Sequence, residues 1–435
     1  MTIYFCISSR DDPALPILER LLSDFTDFDA KILVENEDPN LSGRNGRATN
    51  LGPNPKIRNM SRAYREAKGD IVWIVDCNVW IAPPVAGRMV DLLCGFTPTA
   101  PGRKYKFVHQ LPLVVDVSSP EPKLPGLLSS KSERLGLLSM AGGLLEELFL
   151  STSHAKFYTA IATVAIAPCT VGKSNMFRKS HLDALTSTPS ASKSNTEDRE
   201  PGLDYFSDNI CEDHLIGDLL WKSPIPNFVQ KIAATEGEEP GDKQHFATKA
   251  ARQTSWGNHG LLPAHPSNLA TQPTSNLSLT SYWDRRTRWL RVRKFTVTLA
   301  TIVEPGTESL LCSLYGAYGL TTLPWCEHTL GISDTWRSFW AIWLWSVMIW
   351  AVVDRYTWSM LQHSGEREER PVFGRVRGGR RGPGQWLLAW LVREALAFPI
   401  WAWAVVGGVE VVWRGRKFWV GTDMKVHEVN GEKGD

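Results

Sequence analysis

The sequence predicts an α/β domain with a mostly parallel sheet, followed by a C-terminal α-helical membrane region. Three observations carry this reading. Residues 1–115 alternate apolar runs with amphipathic ones, in the order β-α-β-α-β. The apolar runs are continuous rather than alternating, the pattern of strands covered on both faces. Past Arg293 come three long apolar segments, and most of the 19 Trp lie between Trp336 and Trp419. Trp concentrated there fits a membrane–water interface, where one side of the ring is apolar and the other wet.

Each element has its own signal. "TIYFCIS" is a strand, and "DDPALPILERLLSDF" opens with Asp and Pro, the signature of a helix start. "AKILVE" is the next strand. Ile57, Met60, Tyr64 and Ala67 form a helical stripe ahead of the apolar run "DIVWIVD", read as a buried strand ending on Asp76. "KFVHQLPLVVDV" is expected as one further strand. Residues 118–135, 184–202 and 231–280 are rich in Ser, Pro, charge or turn residues and are expected to be flexible insertions. The α/β domain is expected over 1–293 and the membrane region over 294–435, with an Arg/Gly-rich loop at 364–385.

The apolar segments begin at Lys294, Ser338 and Trp386. The second is near the roughly 20 residues needed to span a bilayer, and the third exceeds it, interrupted by Arg393–Glu394 and Pro399. "RRTRWLRVRK" precedes the first, and six arginines lie in residues 364–383, between the second and third. The positive-inside rule puts both basic stretches in the cytosol, with two crossings between them. A re-entrant hairpin at Pro399 would keep the C-terminus there too.

Composition excludes some classes. A net charge of +2 does not argue for nucleic acid. Seven scattered cysteines without a C-x-x-C pair argue against a disulfide framework or a zinc site. "VGKSN" lacks the earlier glycine of a phosphate loop, and "GRVRGGRRGPG" lies between membrane segments, so neither is taken as a binding motif.

The candidate chemistry rests on three stretches. Asp12 and Asp76 follow strand runs, where ligands of parallel sheets bind. In "DCN", Asp76 and Asn78 offer hard oxygens to a divalent ion on a diphosphate, although a strand-end Asp is as often a helix cap. In "CEDHL", Glu212 and Asp213 open an apolar stripe. They either answer the helix dipole or provide a general base. "YWDRRTRWLRVRK" crowds arginines around Trp283 and Trp289, suiting phosphate or anionic headgroups.

Taken in order, "NPKIRNM…YREAKGDIVWIVDCN", "STSHAKFY", "CEDHL", "RRTRW" and "WLVREAL" resemble the ceramide glucosyltransferases, particularly those of fungi, over about residues 2–420. The resemblance implies a GT-A fold facing the cytosol from a Golgi or endoplasmic reticulum membrane. It implies transfer of glucose from UDP-glucose to the primary hydroxyl of ceramide with inversion, aided by Mg²⁺ or Mn²⁺. Carried over by motif, Asp213 is the base and Asp76 serves the metal and diphosphate, with Asn78 as a further ligand. Asp12, Asn54, Lys56, His154 and Cys169 serve the nucleotide side, and Arg285, Arg288 and Trp289 the diphosphate and acceptor side. Asn78 departs from a second carboxylate, and the family's N-terminal membrane helix and first strand are expected to be missing. A non-catalytic ceramide- or nucleotide-binding protein that has lost that strand is the alternative, ahead of a processive polysaccharide synthase.

Overall fold

The computed structural model describes residues 1–41, 51–118, 141–165, 167–187, 199–226, 256–363, 371, 373, 382–413 and 415–429. The chain opens with β1 (Thr2–Ile7) and β2 (Asp29–Val34), paired in parallel from Thr2–Asp29 to Ile7–Val34, with α1 (Leu15–Asp24) between them. The strand read from "TIYFCIS" is therefore β1, and it leads into the Asp11–Asp12 turn. "TIYFCI" is rich in β-branched and aromatic residues and forms that strand itself.

Helix α2 (Pro55–Glu66) starts where the sequence places it. Asn54 Oδ1 accepts from Lys56 N at 2.8 Å and Ile57 N at 3.2 Å, and Pro55 occupies the first turn. Its stripe buries Ile57 and Tyr64 against Phe107, Phe177, Leu203 and Ile216.

The central sheet holds β3 (Ile71–Val75), β4 (Lys104–His109), β6 (Ser174–Arg178) and β7 (Trp256–Leu261), in the order β3-β6-β4-β7. β4 and β7 are parallel, whereas β6 runs antiparallel to both of its neighbours. The sheet is mixed rather than mostly parallel. Continuous apolar runs report that both faces are covered, not which way the neighbour points. β3 lies at an edge of its sheet and is half-buried, with Ile71 38% exposed. α3 (Val85–Cys94) covers the other face with Val85, Met89 and Leu93.

"KFVHQLPLVVDV" divides into β4 and β5 (Pro112–Asp116), and β5 pairs in parallel with β8 (Ala270–Thr274). Pro112 cannot donate to a ladder, so a strand edge at that position is natural. β7 and β8 fall inside 231–280, so the end of that stretch is sheet, not insertion. "WGNHGL" and "ATQPT" have few β-formers and bury Thr271 and Gln272, which hides them from a hydrophobicity reading. Residues 119–135, 188–198 and 231–255 of the expected insertions lie outside the described residues.

Around the sheet run α4 (Ala141–Ser151), α5 (Ser153–Val164), α6 (Lys179–Thr186), α7 (Glu212–Lys222) and α8 (Leu279–Arg293). The first apolar segment then breaks into α9 (Thr298–Val303), a 3₁₀ turn at Glu304–Thr307, α10 (Ser309–Thr322) and α11 (Pro324–Leu330). The other two segments form α12 (Trp336–His363) and α13 (Pro383–Val406), both long and apolar enough to cross a membrane. Pro399 lies inside α13, which continues through it and ends at Gly407, so there is no hairpin at Pro399.

The C-terminal region ends in an unexpected antiparallel sheet, β9 (Glu410–Trp413), β10 (Arg416–Val420) and β11 (Val426–Glu428). Val411, Phe418, Val420 and Val426 pack on Val292 of α8, beside Ile210 and Cys211. Leu145, Tyr282 and Leu290 share one core with Trp358, Trp386, Trp390 and Ile400. The α/β part and the helical part are thus joined by buried apolar surface. Of the expected basic loop, 364–370 and 374–381 lie outside the described residues.

Candidate active site

β3 leads into Asp76, whose N–H donates to Lys173 O at 3.1 Å just beyond the β3–β6 ladder. Its carboxylate is held from two sides. Lys56 Nζ lies 3.0 Å from Oδ1 and Lys173 Nζ 2.8 Å from Oδ2. Lys56 also reaches Glu212 Oε1 at 3.3 Å and Gly172 O at 3.1 Å. Burial would raise the Asp76 pKa, but the two ammonium groups outweigh it and hold it below its ordinary value. Burial pulls Lys56 down, yet Glu212, Asp76 and Asp213 together raise it. Lys173 is lowered chiefly by burial, with Asp76 opposing.

Gly172 makes this convergence possible. A Cβ there would fall 2.7 Å from Lys56 Nζ and 3.3 Å from Asp213 Oδ2. A side chain there would displace Lys56 Nζ from its present position and crowd Asp213. "VGKSN" is no phosphate loop, but setting it aside missed Gly172 and Lys173. The signal was a lysine next to a glycine just ahead of a strand, which is unremarkable without the fold.

The two carboxylates that open α7 diverge. Glu212 is 4% exposed and accepts from Asn54 Nδ2 at 3.1 Å. Burial, reinforced by Asp213 and opposed by Lys56, pushes its pKa up to about 7. Asp213 is only half-buried, and its backbone carbonyl accepts from Thr170 Oγ1 at 3.1 Å. A cavity of about 20 Å³ lined by Lys56, Thr170, Gly172, Asn175, Glu212 and Asp213 adjoins the pair. That is room for a single water.

α8 brings its arginines to the same region from another side. Arg285 Nε lies 2.9 Å from Glu146 Oε1, its guanidinium 5.2 Å from the Trp289 ring centre, and its charge acts on Lys173. Arg288 is lowered by burial and by Arg285. Trp289 packs on Val114, Phe149 and Leu150. His154 sits between the rings of Phe149 and Tyr158, each 5.5 Å away. Burial, with Arg286 and Arg293 adding, lowers it to about 3, so its imidazole is neutral. Burial pushes the Cys169 thiol up to about 11, against the pull of Arg293. Arg293, outside the R-x-x-R-W signature, thus acts on both His154 and Cys169.

Other candidates are placed differently. Asn54 is fully buried and committed to capping α2 and to Glu212 and Asn209 O. Asp12 Oδ1 accepts from Ala14 N at 2.9 Å, fixing the turn into α1. Among the described residues, no hydrogen bond or ion pair joins it to the Asp76 cluster. Asn78 is exposed in the turn after Asp76.

A divalent ion would need several hard oxygens. Both oxygens of Asp76 are instead taken by ammonium groups, and no group of three His, Cys, Asp or Glu able to hold a metal occurs among the described residues. As placed, these residues do not fit a divalent cation.

The chain matches the model of glycosyl transferase family 21 over residues 1–119 and 258–426. It is 47% identical over 99% of its length to a ceramide glucosyltransferase of Pyricularia oryzae, covering 80% of that protein. It is 42% identical over 99% of its length to one of Gibberella zeae, covering 79% of it. A ceramide glucosyltransferase of Komagataella phaffii is 29% identical, over 98% of this chain and 78% of the relative. A family match over more than half the chain, with relatives this similar along nearly all of it, fixes the assignment: the chain belongs to glycosyl transferase family 21.

Proposed function

We propose that the chain transfers glucose from UDP-glucose to the primary hydroxyl of ceramide, with inversion, at the cytosolic face of a Golgi or endoplasmic reticulum membrane. The names of the fungal relatives supply the substrates. The observation that carries the mechanism is the meeting of Asp213, Lys56, Lys173 and Asp76 around Gly172.

In this reading Asp213 takes the proton of the ceramide hydroxyl. The oxygen attacks the glucose anomeric carbon as the bond to UDP breaks, and the bonding electrons leave on the diphosphate. Asp213 suits the role better than Glu212, since it is open to a substrate while Glu212 is enclosed by Lys56 and Asn54. Lys56, Lys173 and Arg285 provide positive charge where the diphosphate develops its own. Asp76 orients the two lysines between turnovers. His154, neutral and wedged between rings, shapes the wall of the nucleotide side.

Against the non-catalytic alternative stands the presence together of Asp76, Asp213 and the arginines of R-x-x-R-W. A processive synthase would need several spanning helices, whereas two long apolar helices occur among the described residues. The reading is tested by Asp213→Asn and Glu212→Gln in parallel, measuring glucosyl transfer and UDP binding. Asp213→Asn is expected to lose transfer by about 10²–10⁴-fold while keeping UDP affinity. Equal loss in Glu212→Gln with an active Asp213→Asn would reverse the assignment.

A further inference from the structure

We infer that, among the described residues, one helical hairpin, α10–α11–α12, enters the bilayer, and that α13 rests on the bilayer surface. The sheet β9–β11 then stays on the side of the active site. This inference concerns membrane topology and holds whatever the acceptor lipid is.

The hairpin is defined by its contacts. Ser313 Oγ donates to Ser346 Oγ at 2.9 Å partway along α10 and α12. At its base, Arg393 Nη1 lies 3.0 Å from Glu308 Oε2, and Arg393 Nη2 lies 3.9 Å from Asp354 Oδ2. Above that base both helices face outward with apolar side chains. Tyr318, Trp325, Trp345, Ile349 and Val352 are 49–70% exposed. An apolar surface of that extent on two packed helices needs a cover.

Charge placement identifies the cover as lipid. Ser309–Cys326 and Ser338–Val353 contain no Asp, Glu, Lys or Arg, while Glu327, Asp334 and Arg337 cluster at the tip and Asp354 and Arg355 at the base. At 1.5 Å per residue α10 reaches about 21 Å before the break at Leu323, where α11 carries the chain on, and Ser338–Val353 reaches about 24 Å. A hydrocarbon core is about 30 Å thick, and thinner in the endoplasmic reticulum. The lengths suit crossing a thin bilayer, with Trp325 and Trp336 at the far interface and the charged tip in water.

α13 passes the same composition test but is held differently. Trp390 Nε1 donates to Asp354 Oδ2 at 2.7 Å, and Trp401 Nε1 to Thr301 O at 2.6 Å. Lys294 Nζ donates to Val405 O at 3.2 Å, and Arg291 Nη1 to Glu410 O at 2.7 Å. Helix α13 is therefore bound along its length to α8 and its surroundings. If it crossed the bilayer, Arg285, Arg286, Arg288, Arg291 and Arg293 would share its depth, at prohibitive cost. Its inner face buries Arg393 and Glu394, and its outer face presents Leu387, Leu391, Phe398, Trp403 and Val406, 41–81% exposed. That is the division expected of a helix lying in the interface.

The consequence reaches the active site. Val426 N donates to Asp208 O at 2.7 Å and Asn209 Nδ2 to Met424 O at 2.8 Å, so the C-terminal sheet braces the segment leading into Glu212 and Asp213.

The test uses the full chain in sealed microsomes. A Gly/Ser-rich segment carrying an N-x-T glycosylation acceptor is placed between Gly331 and Ile332 in one protein and after Asp435 in another. The first is expected to be glycosylated and the second not. An unmodified tip would overturn the crossing, and a modified C-terminus would overturn the interfacial placement of α13. Point variants guard against misfolding of the insertion. In a Cys77→Ser background, Thr422→Cys is expected to react with a membrane-impermeant maleimide in sealed vesicles, and Ser333→Cys only after permeabilisation. Reaction of Ser333→Cys in sealed vesicles is the result if another protein covers the hairpin, and it overturns the inference.

Discussion

Lys173 Nζ lies 2.8 Å from Asp76 Oδ2, opposite Lys56 on Oδ1, so one carboxylate separates two ammonium groups. Asp76 lies between the two ammonium groups and Glu212 also pairs with Lys56, which offsets the repulsion between the two cations. A diphosphate entering the site would exchange one set of anionic oxygens for another. On the proposed function, Lys173 takes a direct share in donor binding.

Lys173→Ala is expected to raise the KM for UDP-glucose about tenfold, the scale of one lost charge-assisted hydrogen bond, with a smaller fall in kcat. Removing Lys173 also frees Asp76 Oδ2 for a cation. Added Mn²⁺ is then expected to rescue the variant more than it stimulates the parent, measured as donor KM with and without chelator. Equal response in both would sever the link between Lys173 and Asp76.

Glu212 gives a pH signature. Its pKa is raised from its ordinary value to about 7, so between about 4.5 and 7 the folded protein holds a proton that the unfolded chain has released. Stability from this group is present below that window and is lost as pH rises through it. Glu212→Gln is expected to flatten the fall in Tm between pH 5 and 7. An unchanged slope in detergent-solubilised protein would show that Glu212 is ionised throughout.

The ion cluster at Arg393 is a test of the shared core. Arg393 is 1% exposed and donates to Ser153 Oγ at 2.9 Å besides pairing with Glu308 and Glu394. Arg393→Ala leaves those carboxylates buried without their cation. The expected loss is about 3–5 kcal/mol, read from denaturant or thermal unfolding. A loss under about 1 kcal/mol would mean that water reaches the cluster.

How much of this was legible beforehand follows from the physics of each element. The stripe of α2, the cap at Asn54 and the strand ending on Asp76 are local features, and the chain forms them as its pattern requires. The antiparallel β6, the polar strand β8 and the C-terminal sheet depend on partners distant in sequence, so no local pattern marks them. The same division holds at the site. Asp76, Asp213 and Arg285 stand in conspicuous motifs. Lys173 and Arg293 matter only because β6 and α8 are brought to the ends of other elements. The apolar length of α13 is legible in the sequence, whereas the pairing of its Arg393 and Glu394 with Glu308 and Ser309 depends on partners distant in sequence.

The most direct test of the central claim is glucosyl transfer in membranes of cells that lack glucosylceramide. The chain is expressed as it stands, supplied with UDP-glucose and a short-chain ceramide, with Asp213→Asn as the matched control. The account predicts glucosylceramide from the parent and at least about 100-fold less from the variant at equal membrane levels. Product from both at similar rates would contradict the role of Asp213. No product from a well-expressed, membrane-bound parent would contradict the proposed activity itself.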